Sequence, residues 1–232
     1  MKTPWIMAQD WLDVLFLHWP AEPELLRPHL PEELELDIYD GQAWIGVVPF
    51  EARDTRLRLL PPVPGVRRYL ELNVRTYVTC RERKGVYFFT LDANSRLAVG
   101  VAGGLLPYRH ARMEIRRSGR GLRFRSKRRQ ADSFPETFSA DFRIGPELTE
   151  RTPLERWLTE RYSLWTKPAD HLLRVDIAHS PWQLRAASAA IRANSMGSFI
   201  RSSWRGGQPL VHYGGGKHVY FWPPVKERGG LQ

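Results

Sequence analysis

Residues 71–78, ELNVRTYV, alternate between the two faces of a predicted strand with a period of two. Such a period is typical of β structure, in which successive side chains point to opposite faces. The following segment, residues 86–91, is apolar on both faces, as in a strand that is covered on both sides. Together they predict a closed or wrapped sheet. One face of the first segment carries Glu71, Asn73, Arg75 and Tyr77, and the other carries Leu72, Val74 and Val78.

The rest of the chain shows short β segments separated by turns that contain proline and glycine. The DG pair at residues 40–41 is a hairpin signal, and TPLE at residues 152–155 is a capping box that begins a helix. No change in composition marks a linker, so we expect one domain over residues 1–232. Strands are predicted at 13–19, 34–39, 43–50, 69–79, 85–92, 108–117, 121–127, 161–166, 172–178 and 218–222, and helices at 20–26, 95–105 and 153–160. Residues 184–193 fit a strand or a helix.

Composition excludes several classes of protein. The chain has 232 residues, 42% hydrophobic and 26% charged, which is enough for a buried core and unlike a disordered or coiled-coil protein. No apolar run approaches the ~20 residues of a membrane span, and the N-terminal residues lack the pattern of a secretory signal. The single Cys80 rules out an internal disulfide and fits a reducing compartment. We therefore expect a soluble, cytoplasmic protein without a membrane partner.

The chain is strongly basic, with a formal net charge of +10, and most of its basic residues are arginine. Charge of this kind attracts polyanions without specificity. The densest run extends from Arg116 to Arg129 with Phe124 interleaved, and it would suit a nucleic-acid-binding module. The alternative is an arginine-rich hairpin whose charges face water.

Two sets of residues are candidates for a site. If the polar face of residues 71–78 lines a barrel interior, Arg75 could hold a carboxylate, Asn73 could add a polar contact, and Glu71 could exchange a proton. The alternative is a strand whose polar face meets water. A second alternating set follows a glycine-rich segment, and Trp44 is a further candidate. This second set is Tyr108, His110 and Arg112.

Other motifs do not reach a functional pattern. The GGGKH segment at residues 214–218 lacks the first glycine and the hydroxyl residue of a phosphate-binding loop. The histidines and the lone cysteine show no zinc-binding spacing and no nucleophile motif. We therefore expect no metal and no cofactor.

Several segments in order resemble the YqjF-like bacterial family, from about residue 9 to residue 222. They are DVLFLHWP at 13–20, GQAWIGVVPF at 41–50, ELNVRTYV at 71–78, GVYFFTLDAN at 85–94, HARM at 110–113 and DIAHSPW at 176–182. That family is grouped with proteins of the acetoacetate-decarboxylase-like fold. The resemblance implies an α+β, mainly antiparallel β protein, with a cone-shaped β-barrel around a cavity and a few short flanking helices.

The resemblance to the decarboxylases also implies a difference in chemistry. Residues 69–71, YLE, are similar to the Tyr-x-Glu that places a carboxylate in the decarboxylase cavity. Where those enzymes have a Gly-x-Pro-Lys-Lys run, this chain has Tyr108 and Arg109 at the two lysine positions. Neither side chain can form the Schiff base on which the decarboxylation depends. The resemblance therefore implies the fold without that reaction.

The leading hypothesis is a protein that binds a small anionic organic molecule, a carboxylate or keto compound, in its central cavity. If it is an enzyme, metal-free acid/base chemistry with Glu71 as base is expected. Two alternatives stay open. One is the nucleic-acid-binding module described above, and the other is a structural or partner-binding protein whose barrel is filled by its own side chains. The sequence does not indicate an oligomeric state.

Overall fold

The computed structural model describes residues 3–130, 133–203 and 207–227. Three short helices accompany the strands: α1 Pro23–Leu26, α2 Arg96–Ala102 and α3 Pro153–Thr159. The strands are β1 Met7–Leu12, β2 Leu15–Ala21, β3 Glu35–Leu36, β4 Ala43–Leu57, β5 Arg68–Cys80, β6 Arg83–Ala93, β7 Tyr108–His110, β8 Arg112–Ser118, β9 Gly121–Gln130, β10 Ser133–Glu147, β11 Ser163–Thr166, β12 Leu173–Ala178, β13 Arg185–Asn194, β14 Leu210–Tyr213, β15 Lys217–Phe221 and β16 Val225–Lys226.

Seven strands are hydrogen-bonded in a ring. The path runs from β4 through β5, β6, β11, β12, β15 and β1, and then returns to β4. All of these pairings are antiparallel except that between β6 and β11. The β6–β11 and β12–β15 pairings each contain only two residue pairs, so they are the shortest strand pairings of the ring. The ring encloses the inward-facing side chains of β5.

A second layer branches from β4. Its strands follow the order β2, β14, β13, β10, β9 and β8, and each pairs antiparallel with the next. Between this layer and β5 lies the largest apolar core, which contains Leu72 and Val74. These side chains belong to the outward face of the alternating segment, so β5 has an apolar core on one side and the ring interior on the other. The long strands β4 and β5 connect the two layers.

Most predicted elements are confirmed, and four strands were missed, two of which are the short strands β14 and β16. The capping box of α3 is formed, since Thr152 and Glu155 each accept a hydrogen bond from the other's backbone N–H. Asp40 and Gly41 both have positive φ, 48° and 76°, as a tight hairpin turn requires. Residues 184–193, which fitted a strand or a helix, form strand β13. Strands β1 and β10 were not predicted.

The predicted hairpin of residues 34–39 and 43–50 is only partly correct. Strand β3 is two residues long and pairs with β5, and only a bridge between Tyr39 and Gln42 joins the two arms. The overall class is nevertheless the predicted one, mainly antiparallel β with a few short helices. Within the described residues, no helix has the length and apolar character needed to cross a membrane.

Candidate ligand-binding cavity

A cavity of about 60 Å³ lies inside the ring of strands. Every ring strand contributes at least one lining residue, because the inward-facing positions of all seven converge there. A water molecule needs roughly 10–15 Å³ of such space, so the cavity has room for a few waters or for one small organic molecule. Its walls are mostly apolar and aromatic, with a small number of polar groups, as is usual for small-molecule sites.

The polar row of β5 points into this cavity. Glu71, Asn73 and Arg75 all line it, and Glu71 and Asn73 are only 6% and 4% exposed. The prediction that these three side chains face inward is confirmed. The alternation of the sequence explains the geometry, because Leu72 and Val74 are needed in the apolar core on the opposite face.

Glu71 and Tyr108 form a hydrogen-bonded pair at the cavity wall. The hydroxyl of Tyr108 donates to Oε2 of Glu71 at 2.7 Å. Burial raises the pKa of Glu71 to about 7, although the hydrogen bond from Tyr108 opposes this rise. Burial, together with the Glu71 carboxylate, raises the pKa of Tyr108 well above its ordinary value. Near neutral pH the pair therefore combines a carboxyl group that can gain or lose a proton with a neutral phenol.

A short chain of hydrogen bonds lies beside this pair. Tyr69 accepts a hydrogen bond of 2.7 Å from the Gln9 side chain, and Gln9 in turn accepts one of 3.0 Å from Trp11. Burial raises the pKa of Tyr69, so it too remains neutral. These contacts fix the side chains around Glu71 without supplying a cation to it.

Arg75 has no carboxylate partner among the described residues. Its Nε and Nη2 atoms are buried and make no hydrogen bond within the part of the chain that the structure describes. The guanidinium carbon lies 5.6 Å from the ring centroid of Phe16 and 5.9 Å from that of Tyr77, so aromatic faces provide its main stabilisation. Oδ1 of Asn73 is also buried without a partner. The cavity thus contains unused donors and an unused acceptor next to each other on β5.

Gly46 lets the β4 backbone approach Arg75. A Cβ atom at Gly46 would lie 3.3 Å from Cγ of Arg75 and 3.4 Å from a ring carbon of His18. His18 is completely buried, and both of its ring nitrogens lack partners among the described residues. Burial first, and then the charge of Arg75, keep the pKa of His18 well below its usual range, so the ring is neutral. Arg75 is therefore packed closely without being neutralised.

Arg161 is a second cavity-lining arginine, and it was missed by the sequence analysis. Its Nη1 donates to Asp37 at 2.6 Å and its Nε to the carbonyl of Trp157 at 2.6 Å, while Nη2 has no partner in the described residues. Asp37 and Arg161 are 124 positions apart in sequence, so no local pattern could reveal the pair. The exposed ammonium of Lys84 lies 3.7 Å from the same Asp37.

The structure brings only some of the predicted site residues together. Tyr108 lines the cavity, but His110 and Arg112 are exposed and lie outside it, which corrects their assignment as cavity residues. The reason is that the predicted strand is interrupted at buried Ala111, between β7 and β8. The alternation of residues 108–112 therefore does not continue in one strand. Trp44 is half-buried and packs in a neighbouring apolar cluster, outside the cavity lining.

A second buried polar cluster lies between β6, β9 and β10, away from the cavity. Arg128 donates to Oδ1 of Asp92 at 2.8 Å and to the Thr90 hydroxyl at 2.7 Å, and it also pairs with Glu136. Ser198 donates to Glu136 at 3.1 Å. Every charged group of this cluster thus has an opposite charge as its partner. As for metals, no group of three or more His, Cys, Asp or Glu ligands is found within the described ranges.

The match to a family model covers residues 8–217. The chain belongs to the DUF2071 family of uncharacterized conserved proteins. It is 43% identical over 223 residues to "Uncharacterized protein YqjF" of Bacillus subtilis strain 168, an alignment that covers 94% of this chain and 91% of that protein. The sequence-based assignment to a YqjF-like family is therefore confirmed.

Solved structures with the same fold include three related enzymes. The enduracididine biosynthesis enzyme MppR in complex with pyruvate has a TM-score of 0.66 at 11% identity, covering 97% of this chain and 91% of that one. An acetoacetate decarboxylase-like enzyme from Sphingomonas wittichii RW1 has a TM-score of 0.66 at 12% identity, with 96% and 92% covered. The acetoacetate decarboxylase of Legionella pneumophila has a TM-score of 0.62 at 12% identity, and the match covers 95% of this chain and 87% of that one. This DUF2071 protein thus has the acetoacetate-decarboxylase-like fold.

Proposed function

We propose that this DUF2071 protein is a cytosolic protein that binds a small anionic organic molecule, a carboxylate or oxo acid, in the cavity of its strand ring, without Schiff-base chemistry. The observation that carries the proposal is the unpaired guanidinium of Arg75. Its Nε and Nη2 atoms are buried without a hydrogen-bond partner among the described residues, although buried polar atoms are nearly always hydrogen-bonded. A ligand carboxylate would supply both the missing charge and the missing acceptors, because arginine binds carboxylates bidentately.

The size and polarity of the cavity support the same ligand class. About 60 Å³ accommodates only a small molecule. The unused amide oxygen of Asn73 and the unused Nη2 of Arg161 offer further hydrogen bonds to it. Glu71 makes no ion pair with Arg75 within the described residues, and its carboxylate accepts a hydrogen bond from Tyr108 instead.

The absence of a Schiff base is proposed from the lining residues. No lysine is among the described side chains that line the cavity. Tyr108 lines the cavity. The resemblance to the decarboxylases implies that their imine-forming lysine would stand at this position, and a phenol cannot form an imine. The solved structures share the fold with this chain at 11–12% identity, so their chemistry is not transferred to it.

Both alternatives are supported less well. Of the run from Arg116 to Arg129, several cations are already paired with carboxylates: Arg116 with Glu114, Arg117 with Asp13 and Glu51, Arg123 with Asp141, and Arg128 with Asp92 and Glu136. The side chain of Arg129 lies outside the described residues. Paired cations track phosphates poorly, which weakens the nucleic-acid alternative. The cavity inside the ring, with its unpartnered polar atoms, weakens the filled-barrel alternative.

Thermal shift with small carboxylates tests the proposal. Pyruvate, acetate and acetoacetate should raise the melting temperature of the wild type, since a ligand at 100 times its Kd stabilises by about 2.7 kcal/mol. Arg75→Met should abolish the shift. The matched control Arg125→Met, at an exposed position of β9, should retain it.

Two results would contradict the proposal. An equal shift in both variants would show that Arg75 is not the anion contact, and no shift in the wild type with any of the three carboxylates would reject this ligand class. For the chemistry, acetoacetate with borohydride should give neither decarboxylation nor a trapped adduct. A trapped adduct on a lysine would show that a Schiff base forms after all.

A further inference from the structure

The cavity holds more than an anion contact, because a proton-exchanging pair faces the same space. The Tyr108 hydroxyl and the Glu71 carboxylate are 2.7 Å apart, and both line the cavity that also contains the unpaired Arg75. Simple anion binding would need only Arg75. A buried carboxyl group with a phenol as its only hydrogen-bond donor among the described residues is costly for stability and is typical of a group with a chemical task.

We propose that Glu71 and Tyr108 catalyse proton transfer at the carbon next to the carbonyl of a small oxo acid whose carboxylate is bound by Arg75, with no covalent intermediate. This inference rests on the proposed function and adds a reaction to it. The two groups have separate roles. Glu71 is the base, and the single O–H of Tyr108, which donates to Glu71 in the structure, turns to the carbonyl oxygen when the substrate is bound.

The reaction balances without any co-reactant. The carboxylate of Glu71 removes a proton from the carbon, and the electrons of the C–H bond form a C=C bond. The carbonyl electrons move to oxygen, which Tyr108 stabilises through its O–H donor. In the reverse step the protonated Glu71 returns a proton to the carbon and the carbonyl is restored. No atom is gained or lost, so in D2O the only net change is the replacement of hydrogen by deuterium.

The surroundings of the pair suit this chemistry. A base works best when its pKa is near the operating pH, and burial places that of Glu71 at about 7. Phe16, Val48 and Phe50 belong to the cavity wall, and such apolar surroundings strengthen the hydrogen bond to a developing enolate oxygen. The phenol of Tyr108 stays protonated near neutral pH, because burial and the Glu71 carboxylate raise its pKa.

The test is exchange of the methyl protons of pyruvate in D2O, followed by proton NMR. The wild type should exchange them faster than buffer alone. Glu71→Gln should lower the protein-dependent rate by about 100-fold or more, which is the usual contribution of a general base, and Tyr108→Phe should lower it as well. Protein that has been treated with pyruvate and borohydride and then freed of both should keep its full exchange rate, because no imine is available for reduction.

Tyr213→Phe is the matched control. Tyr213 donates to Asp13 at 2.7 Å, the same contact as in the proposed pair, but both residues lie outside the cavity lining. The proton-exchange rate of the Tyr213→Phe variant should equal that of the wild type. Equal losses in Tyr108→Phe and Tyr213→Phe, or full activity in a folded Glu71→Gln, would overturn the assignment.

Binding and chemistry can fail separately. If pyruvate raises the melting temperature through Arg75 but exchange stays at the buffer rate, the proton-transfer proposal is wrong and the binding proposal stands. If pyruvate neither shifts melting nor exchanges its protons, both proposals fail for this ligand.

Discussion

Arg128, which is buried, and Arg75, which is half-buried, occupy opposite electrostatic situations. Arg128 is 4% exposed and lies against two carboxylates, those of Asp92 and Glu136. The buried Nε and Nη2 of Arg75 have no partner in the described ranges, and only aromatic faces lie over its guanidinium. A buried arginine that is already paired stabilises the contact between strands. One that is unpaired can still bind an anion from solution.

The difference follows from what each arginine faces. On β9, Arg128 points toward β6 and β10, which each contribute an acidic side chain at the contact. On β5, Arg75 faces a lumen where the only β5 carboxylate, Glu71, is bonded to Tyr108. The same residue type therefore has a structural role in one region and a proposed binding role in the other. Each of the following substitutions tests this contrast.

The largest effect is expected from Arg128→Met. This change leaves the carboxylates of Asp92 and Glu136 buried without a cation, which costs about 3–5 kcal/mol of unfolding free energy. Arg75→Met removes an unpaired charge instead, so the free energy of unfolding should be unchanged or higher. Urea denaturation at pH 7 without added carboxylates measures both. Equal losses in the two variants would show that Arg75 is as structural as Arg128.

A smaller effect is expected from pH through Glu71. The pKa of the Glu71 carboxyl group is about 7 in the folded protein, compared with an ordinary value of 4.5. The folded state therefore binds the carboxyl proton more tightly than the unfolded chain does. The contribution of Glu71 to the free energy of unfolding is fully present below pH 4.5 and is lost as the pH rises through about 7. The loss is about 3 kcal/mol, because a difference of one between the folded and unfolded pKa values corresponds to about 1.36 kcal/mol.

Glu71→Gln removes this dependence. The variant should match the wild type near pH 4.5 and become more stable than the wild type above pH 7, as measured by the difference in unfolding free energy across this pH range. A constant difference between the two proteins from pH 4.5 to pH 8 would show that the carboxyl group titrates normally.

Gly46→Ala should have a moderate effect. The added Cβ atom would press on Cγ of Arg75 and on the His18 ring, so both side chains must shift by a few tenths of an ångström. Overpacking of this kind typically lowers the free energy of unfolding by about 1–3 kcal/mol. We expect a loss near the low end of this range, because the Arg75 side chain is flexible. The carboxylate-induced melting shift should shrink as the guanidinium moves. An unchanged shift would mean that the position of Arg75 does not determine binding.

The smallest effect is expected from His110→Ala and Arg112→Ala. Both side chains are exposed and lie outside the cavity, so each change should alter stability by no more than about 0.5 kcal/mol. The carboxylate shift should equal that of the wild type in both variants. A reduced shift in either one would extend the site beyond the cavity described above.

Much of the architecture could be predicted from local patterns. The period of two in residues 71–78 determined which β5 side chains share a face, because backbone pleating allows only one arrangement. The apolar run of residues 86–91 indicated a wrapped sheet, and β6 is indeed covered on both sides. The TPLE capping box marked the start of α3, since the signal lies within four consecutive residues.

Tertiary structure alone decided the partners of the charged groups. The alternation of residues 71–78 shows that Arg75 shares a face with Glu71. Only the tertiary structure brings Tyr108 against that carboxylate and leaves Nε and Nη2 of Arg75 without partners among the described residues. The pairing of Arg161 with Asp37 spans 124 positions, and that of Arg128 with Asp92 spans 36. Sequence periodicity determines the direction of a side chain within its own strand. Which charge it meets depends on strands brought together from distant parts of the chain.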